Sequence, residues 1–260
     1  MSDSTKPDTE VADYLARYGN VGFEDFRRMA ADDKLSAWEK IGFPDSYRKG
    51  LEQDIFLDIA RKLPALDGQQ QIIIDIGAGC SDLPRKLIDR SIAHRHRLIL
   101  VDSAEMLGLL PDGTGVEKVA ARFPDCPTLI ASLQGRVNAV LVYSVFQYVF
   151  AEGNTWAFLD ACLSMLAPGG SILIGDIPNI SRRKRFFASE TGIAHHKQFT
   201  GRDESPTVSF NRLEPAHIDD AVIMGLIMRC RNAGFDAWVV PQDASLPMAN
   251  RREDILITRP

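Results

Sequence analysis

Residues 71–82, QIIIDIGAGCSD, constrain the fold of this 260-residue chain more than any other segment. The segment starts as a short apolar run around one acid, Asp75, and such a run bounded by glycine is typical of a buried parallel strand. Ser81 and Pro84 then stand where the N-cap and first turn of a helix would place them. A strand, a glycine turn and a helix in this order predict one corner of a doubly wound α/β sheet, where ligands bind beyond the carboxyl ends of the strands.

The residues around the glycine turn discriminate between ligands. A dinucleotide-binding turn has the pattern G-x-G-x-x-G, but here the third position is Asp82, whose charge would repel a pyrophosphate. Asp75 precedes the turn, where its carboxylate can face a cationic part of a ligand. A second apolar strand ends in Asp102, which follows Gly79 by 23 residues, close to the roughly 20 residues at which an acid binds ribose hydroxyls in such folds. The pattern therefore weighs against a nicotinamide dehydrogenase.

These motifs resemble those of the class I S-adenosylmethionine-dependent methyltransferases. The first motif of that family, an acid followed by G-x-G, is similar to D-I-G-A-G-C at residues 75–80, and the second, an acid that ends the next strand, is similar to Asp102. The resemblance implies that the turn wraps the methionine part of the cofactor, that Asp75 helps to hold its amino group, and that Asp102 binds its ribose. The predicted cofactor-binding residues are Asp75, Gly77, Ala78, Gly79, Cys80, Asp102, Ser103, Met106, Arg122, Phe123, Tyr143 and Ser144.

Two places depart from the pattern of the resembled family. Cys80 stands where a third glycine is frequent. Arg122 and Phe123 follow the third predicted strand, where an acid or an amide often contacts the adenine ring. Phe123 can instead stack on a purine, so the sequence leaves the adenine contact open.

The rest of the chain continues the alternation of strands and helices. Residues 116–121, 137–144 and 171–176 predict the third, fourth and fifth strands, and the turn L-A-P-G-G before the fifth is a further hallmark of the resembled family. Residues 235–240 and 254–258 predict two final strands, and the resemblance implies that they pair antiparallel. The expected fold is α/β, a doubly wound and mostly parallel seven-stranded sheet with an antiparallel last strand and an N-terminal helical elaboration.

The chain is expected to divide into three parts. Residues 1–10 are polar and predicted to be disordered, residues 11–66 are predicted to form helices, and residues 67–260 are predicted to form the cofactor-binding domain. In the resembled family, helices before the first motif commonly cover the cofactor and shape the acceptor pocket. Aromatic residues that would line this pocket, or simply pack the helices together, are Tyr14, Tyr18, Trp38 and Tyr47.

Composition limits the classes of function. The net charge of −5 argues against binding of nucleic acid through the overall charge. No apolar run approaches the roughly 20 residues of a membrane span, and the polar N-terminus lacks the apolar core of a signal peptide. The four scattered cysteines contain no C-x-x-C pair, so they suggest neither a zinc site nor a disulfide framework. A reducing cytoplasm is the expected location, and the oligomeric state is left undetermined.

The carboxyl ends of the fourth and fifth strands hold the candidates for the catalytic step. Methyl transfer from a sulfonium mainly requires that two reactants be held in line, and a hydroxyl acceptor also needs a base within hydrogen-bond reach. The predicted catalytic residues are Tyr148, Asp176 and His195, with His196 as a further candidate. Because no acid ends the fourth strand, a Mg²⁺-assisted reaction is not expected, and no metal site is predicted.

A basic cluster after the fifth strand bears on the acceptor. Residues 182–185 are four adjacent cations, which would suit a phosphate or carboxylate on the acceptor or form a solvated basic face. The predicted substrate-binding residues are Gln147, Arg182, Arg183, Arg185 and Arg251. The leading hypothesis is a methyltransferase for a small polar, anionic acceptor such as a nucleotide-linked sugar or glycan precursor. The alternatives are an RNA methyltransferase and a non-catalytic protein that binds S-adenosylmethionine.

Overall fold

The computed structural model describes residues 21–212, 214–246 and 248–260, apart from the side chains of Ser46 and Tyr47. The predicted disordered tail, together with Tyr14 and Tyr18, lies outside the described residues. Within the described residues, the α-helices before the first strand are α1 (Phe23–Ala30), α2 (Ala37–Lys40), α3 (Asp45–Arg48) and α4 (Glu52–Lys62), and a short 3-10 helix (Pro64–Asp67) follows them.

The predicted seven-stranded sheet is confirmed. Its strands are β1 (Ile72–Ile76), β2 (Arg97–Asp102), β3 (Val116–Ala120), β4 (Val137–Tyr143), β5 (Leu166–Pro178), β6 (Asp236–Val240) and β7 (Arg252–Thr258). Their order is β3-β2-β1-β4-β5-β7-β6. The first five strands are parallel to one another, and β7 is antiparallel to both of its neighbours. The order reverses between β1 and β4, which leaves a crevice at the carboxyl ends of these strands.

Eight further helices connect and follow the strands: α5 (Asp82–Ala93), α6 (Ala104–Leu107), α7 (Pro127–Leu133), α8 (Phe146–Glu152), α9 (Thr155–Met165), α10 (Ile180–Phe187), α11 (Glu190–Thr200) and α12 (Asp220–Asn232). The polar region around His195 is helical because Asn179 and Ser189 cap α10 and α11 by accepting hydrogen bonds from backbone N–H groups of the first turns. None of the described helices is long and apolar enough to cross a bilayer.

Apolar residues cover both faces of the sheet, as the nearly unbroken apolar runs of its central strands predict. Because successive side chains of a strand point to opposite faces, Ile74 of β1 packs into the layer beneath α7, α9 and α12. Ile73 packs on the other face, into the layer that α4 and α5 cover. The two layers hold the carboxyl ends of β1, β2 and β4 at one edge of the sheet, where the candidate site lies.

Candidate functional site

A cavity of about 410 Å³ opens at the carboxyl ends of β1, β2 and β4, within the range of roughly 300–1,000 Å³ that is common for small-molecule sites. The glycine turn forms one wall, with Gly77 at φ +75° and Gly79 at φ +66°. A β-carbon would come within 2.4 Å of Val145 at Gly77 and within 2.8 Å of Ile41 at Gly79. Only glycine therefore fits either position, and the backbone of the turn lines the cavity directly.

The structure brings half of the predicted site residues together around this cavity. Those that line it are Gly77, Ala78, Gly79, Asp102, Met106, Arg122, Phe123, Tyr143, Ser144 and Tyr148. Those that it places outside the lining are Asp75, Cys80, Ser103, Gln147, Asp176, Arg182, Arg183, Arg185, His195 and Arg251.

Asp102 joins the end of β2 to the glycine turn. Its carboxylate accepts hydrogen bonds from the N–H of Gly79 at 2.8 Å and from the N–H of Ser103 at 2.6 Å. Burial raises the pKa of Asp102 above its usual value, while these two N–H groups oppose the change. Since an ionised carboxylate offers about four lone-pair positions, Asp102 can still accept from two hydroxyl groups of a ligand.

Asp75 is an acid without a counter-ion inside the sheet. It lies in β1 between Leu100 of β2 and Leu141 of β4 and is only 4% exposed. Among the described residues, no side chain donates a hydrogen bond to its carboxylate. Burial, reinforced by the charge of Asp102, raises the pKa of Asp75 to about 8. A cationic group brought to the adjacent turn would favour its ionised form.

Cys80 and Ser103 support the site from behind the lining. Cys80 is buried against Ala30 and Met106, and burial raises the pKa of its thiol to about 11. Ser103 caps α6, since its hydroxyl accepts a hydrogen bond from the N–H of Met106 at 3.2 Å. Both residues therefore shape the cavity rather than contact its contents.

The end of the cavity near β3 contains the residues that follow the third strand, for which the sequence left the contact with adenine open. The ring of Phe123 lines this end and meets Phe158 edge to face, with 5.2 Å between the ring centroids. Asp125 lines it as well, although the sequence analysis did not single it out. Arg122 pairs with Glu152 at 3.4 Å, so this end offers an aromatic face together with an acid.

The N-terminal helices cover the cavity with residues that the sequence analysis did not single out, whereas the side chains of Tyr14, Tyr18 and Tyr47 lie outside the described part of the chain. The lining from this segment is Phe23, Phe26, Ile41, Phe43 and Arg48. Trp38 lies outside the lining, and its indole N–H donates a hydrogen bond to Glu52 at 3.1 Å. The phenylalanines were missed because their sequence pattern is the same as that of side chains that pack one helix on another.

Asp176 is held in an ion-pair network at the end of β5. Its carboxylate accepts from Arg48 at 2.8 Å, from Arg252 at 3.0 Å and from the hydroxyl of Ser144 at 2.5 Å. Ser144 and Asp176 both have left-handed backbone conformations, with φ of +61° and +59°, which carry strain in a residue other than glycine. Two guanidinium groups and a hydroxyl therefore occupy this carboxylate, and Arg48 is a residue that the sequence analysis missed.

The catalytic candidates Tyr148 and His195 and the substrate-binding candidate Gln147 differ in their access to the cavity. Tyr148 lines it and packs edge to face on Phe26, with 4.9 Å between the ring centroids. Gln147 donates a hydrogen bond to the backbone carbonyl of Ser144 at 2.7 Å. His195 packs against phenylalanines of α10 and α11, where burial is the main cause that lowers its pKa. Of these three candidates, Tyr148 alone reaches the cavity.

The basic cluster on α10 is largely paired with acids. Arg182, Lys184 and Arg185 form ion pairs with Glu253, Glu214 and Asp220 respectively. The guanidinium groups of Arg183 and Arg251 lie 5.3 Å and 5.9 Å from the ring centroid of Phe187. These contacts tie α10 to neighbouring segments, outside the lining of the cavity.

Solved structures of methyltransferases share this fold. The plantazolicin methyltransferase BamL, in complex with a triazolic desmethylPZN analog and SAH, superposes with a TM-score of 0.58 at 12% identity over 98% of this chain and 99% of its own. The N-methyltransferase NodS from Bradyrhizobium japonicum, in complex with S-adenosyl-L-homocysteine, superposes with a TM-score of 0.51 at 14% identity, over 92% of this chain and 98% of its own. The pyocyanin biosynthetic protein PhzM superposes with a TM-score of 0.53 at 15% identity, over 99% of this chain and 68% of its own. No family model and no curated protein matches the sequence. The chain therefore has the class I methyltransferase fold.

Proposed function

We propose that this protein binds S-adenosylmethionine and transfers its methyl group to a small-molecule acceptor. The observation that carries the proposal is the meeting of the glycine turn and the carboxylate of Asp102 in one cavity at the point where the strand order reverses. The class I fold, which the methyltransferases BamL and NodS share, supports the same assignment.

The residues around the cavity fit the parts of this cofactor. The turn at Gly77 and Gly79 leaves room for the methionine part, and its amino group would supply the cation that the buried Asp75 lacks. Asp102 keeps acceptor capacity for the ribose hydroxyls. Phe123 and Asp125 offer a ring face and an acid to the adenine. When bound, the sulfonium supplies a methyl carbon to which an acceptor lone pair bonds, while the carbon–sulfur bond breaks with its electrons on sulfur and the acceptor proton leaves to water.

The other residues of the cavity would hold and shield the acceptor. Phe26 and Phe43 close the cavity from the N-terminal side and exclude water from the reacting atoms. Tyr148 is the candidate to orient an acceptor hydroxyl or amine through its phenol group. Asp176 positions Ser144 and Arg48 at the cavity wall, which is a different role from that of a base.

Whether the acceptor is anionic is a separate question from whether it is a small molecule. The sequence prediction of an anionic acceptor, such as a nucleotide-linked sugar, depends on Arg182, Arg183 and Arg185. Because Arg182 and Arg185 pair with acids outside the cavity, these contacts lend that prediction no support, and the proposal extends only to a small molecule. An RNA acceptor has no support from the acidic net charge of −5.

Replacing Asp102 with asparagine is expected to weaken binding of S-adenosylhomocysteine by roughly 10- to 100-fold, because hydrogen bonds to a charged acceptor contribute about 1.5–3 kcal/mol. Asparagine keeps the size of the side chain and one oxygen that can accept from the backbone. Titration calorimetry with S-adenosylmethionine and S-adenosylhomocysteine measures the loss, with NAD as the negative control ligand.

Asp112→Asn is the matched control, because the Asp112 side chain is 95% exposed and pairs only with Lys118 at the surface. Equal affinity in the Asp102 variant and in this control would contradict the placement of the ribose. Absence of binding by the unmodified protein would overturn the proposed function. Binding without transfer of a labelled methyl group to any acceptor tested would instead favour the non-catalytic alternative.

A further inference from the structure

The wall of the cavity on the acceptor side is aromatic. Phe26 from α1, Phe43 from the segment before α3, Tyr143 from the end of β4 and Tyr148 from α8 all line it. Phe26 meets Tyr148 edge to face, and Gly42, at φ +80°, lies against the Phe26 ring, so that a β-carbon there would come 3.2 Å from it. Four aromatic rings from four separate segments thus converge on one space, beside the turn and Asp102 that we assign to the cofactor.

The cations that line the same cavity are already paired with acids, so they offer little to an anionic ligand. Among the described residues that line it, the two cations are Arg48 and Arg122. Arg48 pairs with Asp176 at 2.8 Å, and its guanidinium lies 4.2 Å from the centroid of the Phe43 ring. Arg122 pairs with Glu152 at 3.4 Å. An anionic acceptor would have to displace one of these acids, at an unfavourable cost in desolvation.

We propose that the acceptor is a neutral small molecule with a planar aromatic ring, bound against Phe26, Phe43, Tyr143 and Tyr148. This inference rests on the proposed function and names the substrate class of the same site. Rings of this kind gain from edge-to-face and offset contacts with aromatic side chains in addition to the burial of their area. A hydroxyl or amine on the ring would present the atom that accepts the methyl group.

The test compares probes that differ in charge and aromaticity. The protein is first saturated with S-adenosylhomocysteine and then titrated with 2-naphthol, with 2-naphthol-6-sulfonate and with glucose 6-phosphate. We expect 2-naphthol to bind and the sulfonate, which has the same rings and one negative charge, to bind at least about tenfold more weakly, equivalent to about 1.4 kcal/mol. Tighter binding of either anion, or no binding of 2-naphthol to the loaded protein, would overturn the inference.

A variant of one lining residue tests whether 2-naphthol binds in the cavity. Phe26→Leu keeps an apolar side chain but removes the ring, so the affinity for 2-naphthol should fall roughly 2- to 10-fold, as the loss of one aromatic contact implies. The affinity for S-adenosylhomocysteine should fall by a smaller factor, because Phe26 also packs against Cys80 and Met106 behind the cofactor side of the cavity. Phe210→Leu is the control, since Phe210 is 56% exposed and lies outside the lining. Unchanged 2-naphthol affinity in Phe26→Leu would overturn the inference, whereas failure of the unmodified protein to bind S-adenosylhomocysteine would overturn the proposed function and the inference with it.

Discussion

Replacement of Asp75 by asparagine is expected to stabilise the ligand-free protein by on the order of 4 kcal/mol at pH 7. The native state keeps a proton on Asp75 up to about pH 8, whereas the same carboxyl in the unfolded chain ionises near its ordinary value of 3.8. The native state therefore loses stability as the pH rises from about 4 to about 8. A span of about three pH units up to pH 7, at about 1.4 kcal/mol for each, gives the expected magnitude.

The asparagine variant has no proton to lose at this position, so its advantage should grow with pH. Urea unfolding of both proteins at pH 5 and pH 8 measures this difference, with Asp112→Asn as an exposed control. The same variant should lose affinity for S-adenosylmethionine, because the amide carries no charge to meet the amino group. A variant that is more stable and yet does not bind would indicate that Asp75 is kept for the ligand at the expense of the fold. Parallel pH profiles of the two proteins would refute this explanation.

Replacement of Lys62 by methionine is expected to lower the free energy of unfolding by about 3–5 kcal/mol, the usual result of removing one partner from a buried ion pair. Lys62 in α4 lies 2.5 Å from a carboxylate oxygen of Asp58 and 2.8 Å from one of Asp254. Both acids are buried. Without the ammonium group, two carboxylates would share this space with less compensation for their charge.

The pH dependence of the Lys62 variant serves as an internal check. Burial already raises the pKa of Asp254, and Lys62 opposes that change. The pKa of Asp254 should therefore rise further in the variant, so that its deficit in stability is smaller at pH 5 than at pH 8. Lys34→Met, on an exposed lysine, is the control. Adding Asp254→Asn to the Lys62→Met variant should restore part of the lost stability. A deficit below about 1 kcal/mol would place this pair with ordinary surface ion pairs.

The sheet and the cofactor side of the cavity were predictable from the sequence because their signals are local. An apolar run, two glycines and the acid Asp102 occur within one βαβ unit, and the backbone itself enforces their arrangement. Two further short apolar runs predicted the last two strands, and the resemblance to the class I methyltransferases predicted that they pair antiparallel. The cavity contains Gly77, Gly79 and Asp102 as the motif predicts.

The acceptor side was less predictable because its residues come from distant segments. Arg48 precedes its partner Asp176 by 128 residues, and no spacing in the sequence connects them. The charges of Arg182 and Arg185 fit either an anion site or a basic surface in the sequence, and only the structure shows Glu253 and Asp220 beside them. The helices around His195 were not predicted, although the capping residues before α10 and α11 are a sign of them.

The ion pair between Lys62 and Asp254 also bears on the order in which this protein is assembled. Its partners are 192 residues apart in the chain, and contacts of such long sequence separation form late and slow the folding of a domain. During synthesis, α4 is complete long before β7 has left the ribosome. Lys62 can therefore reach Asp254, and join the N-terminal helices to the sheet, only after β7 has been made.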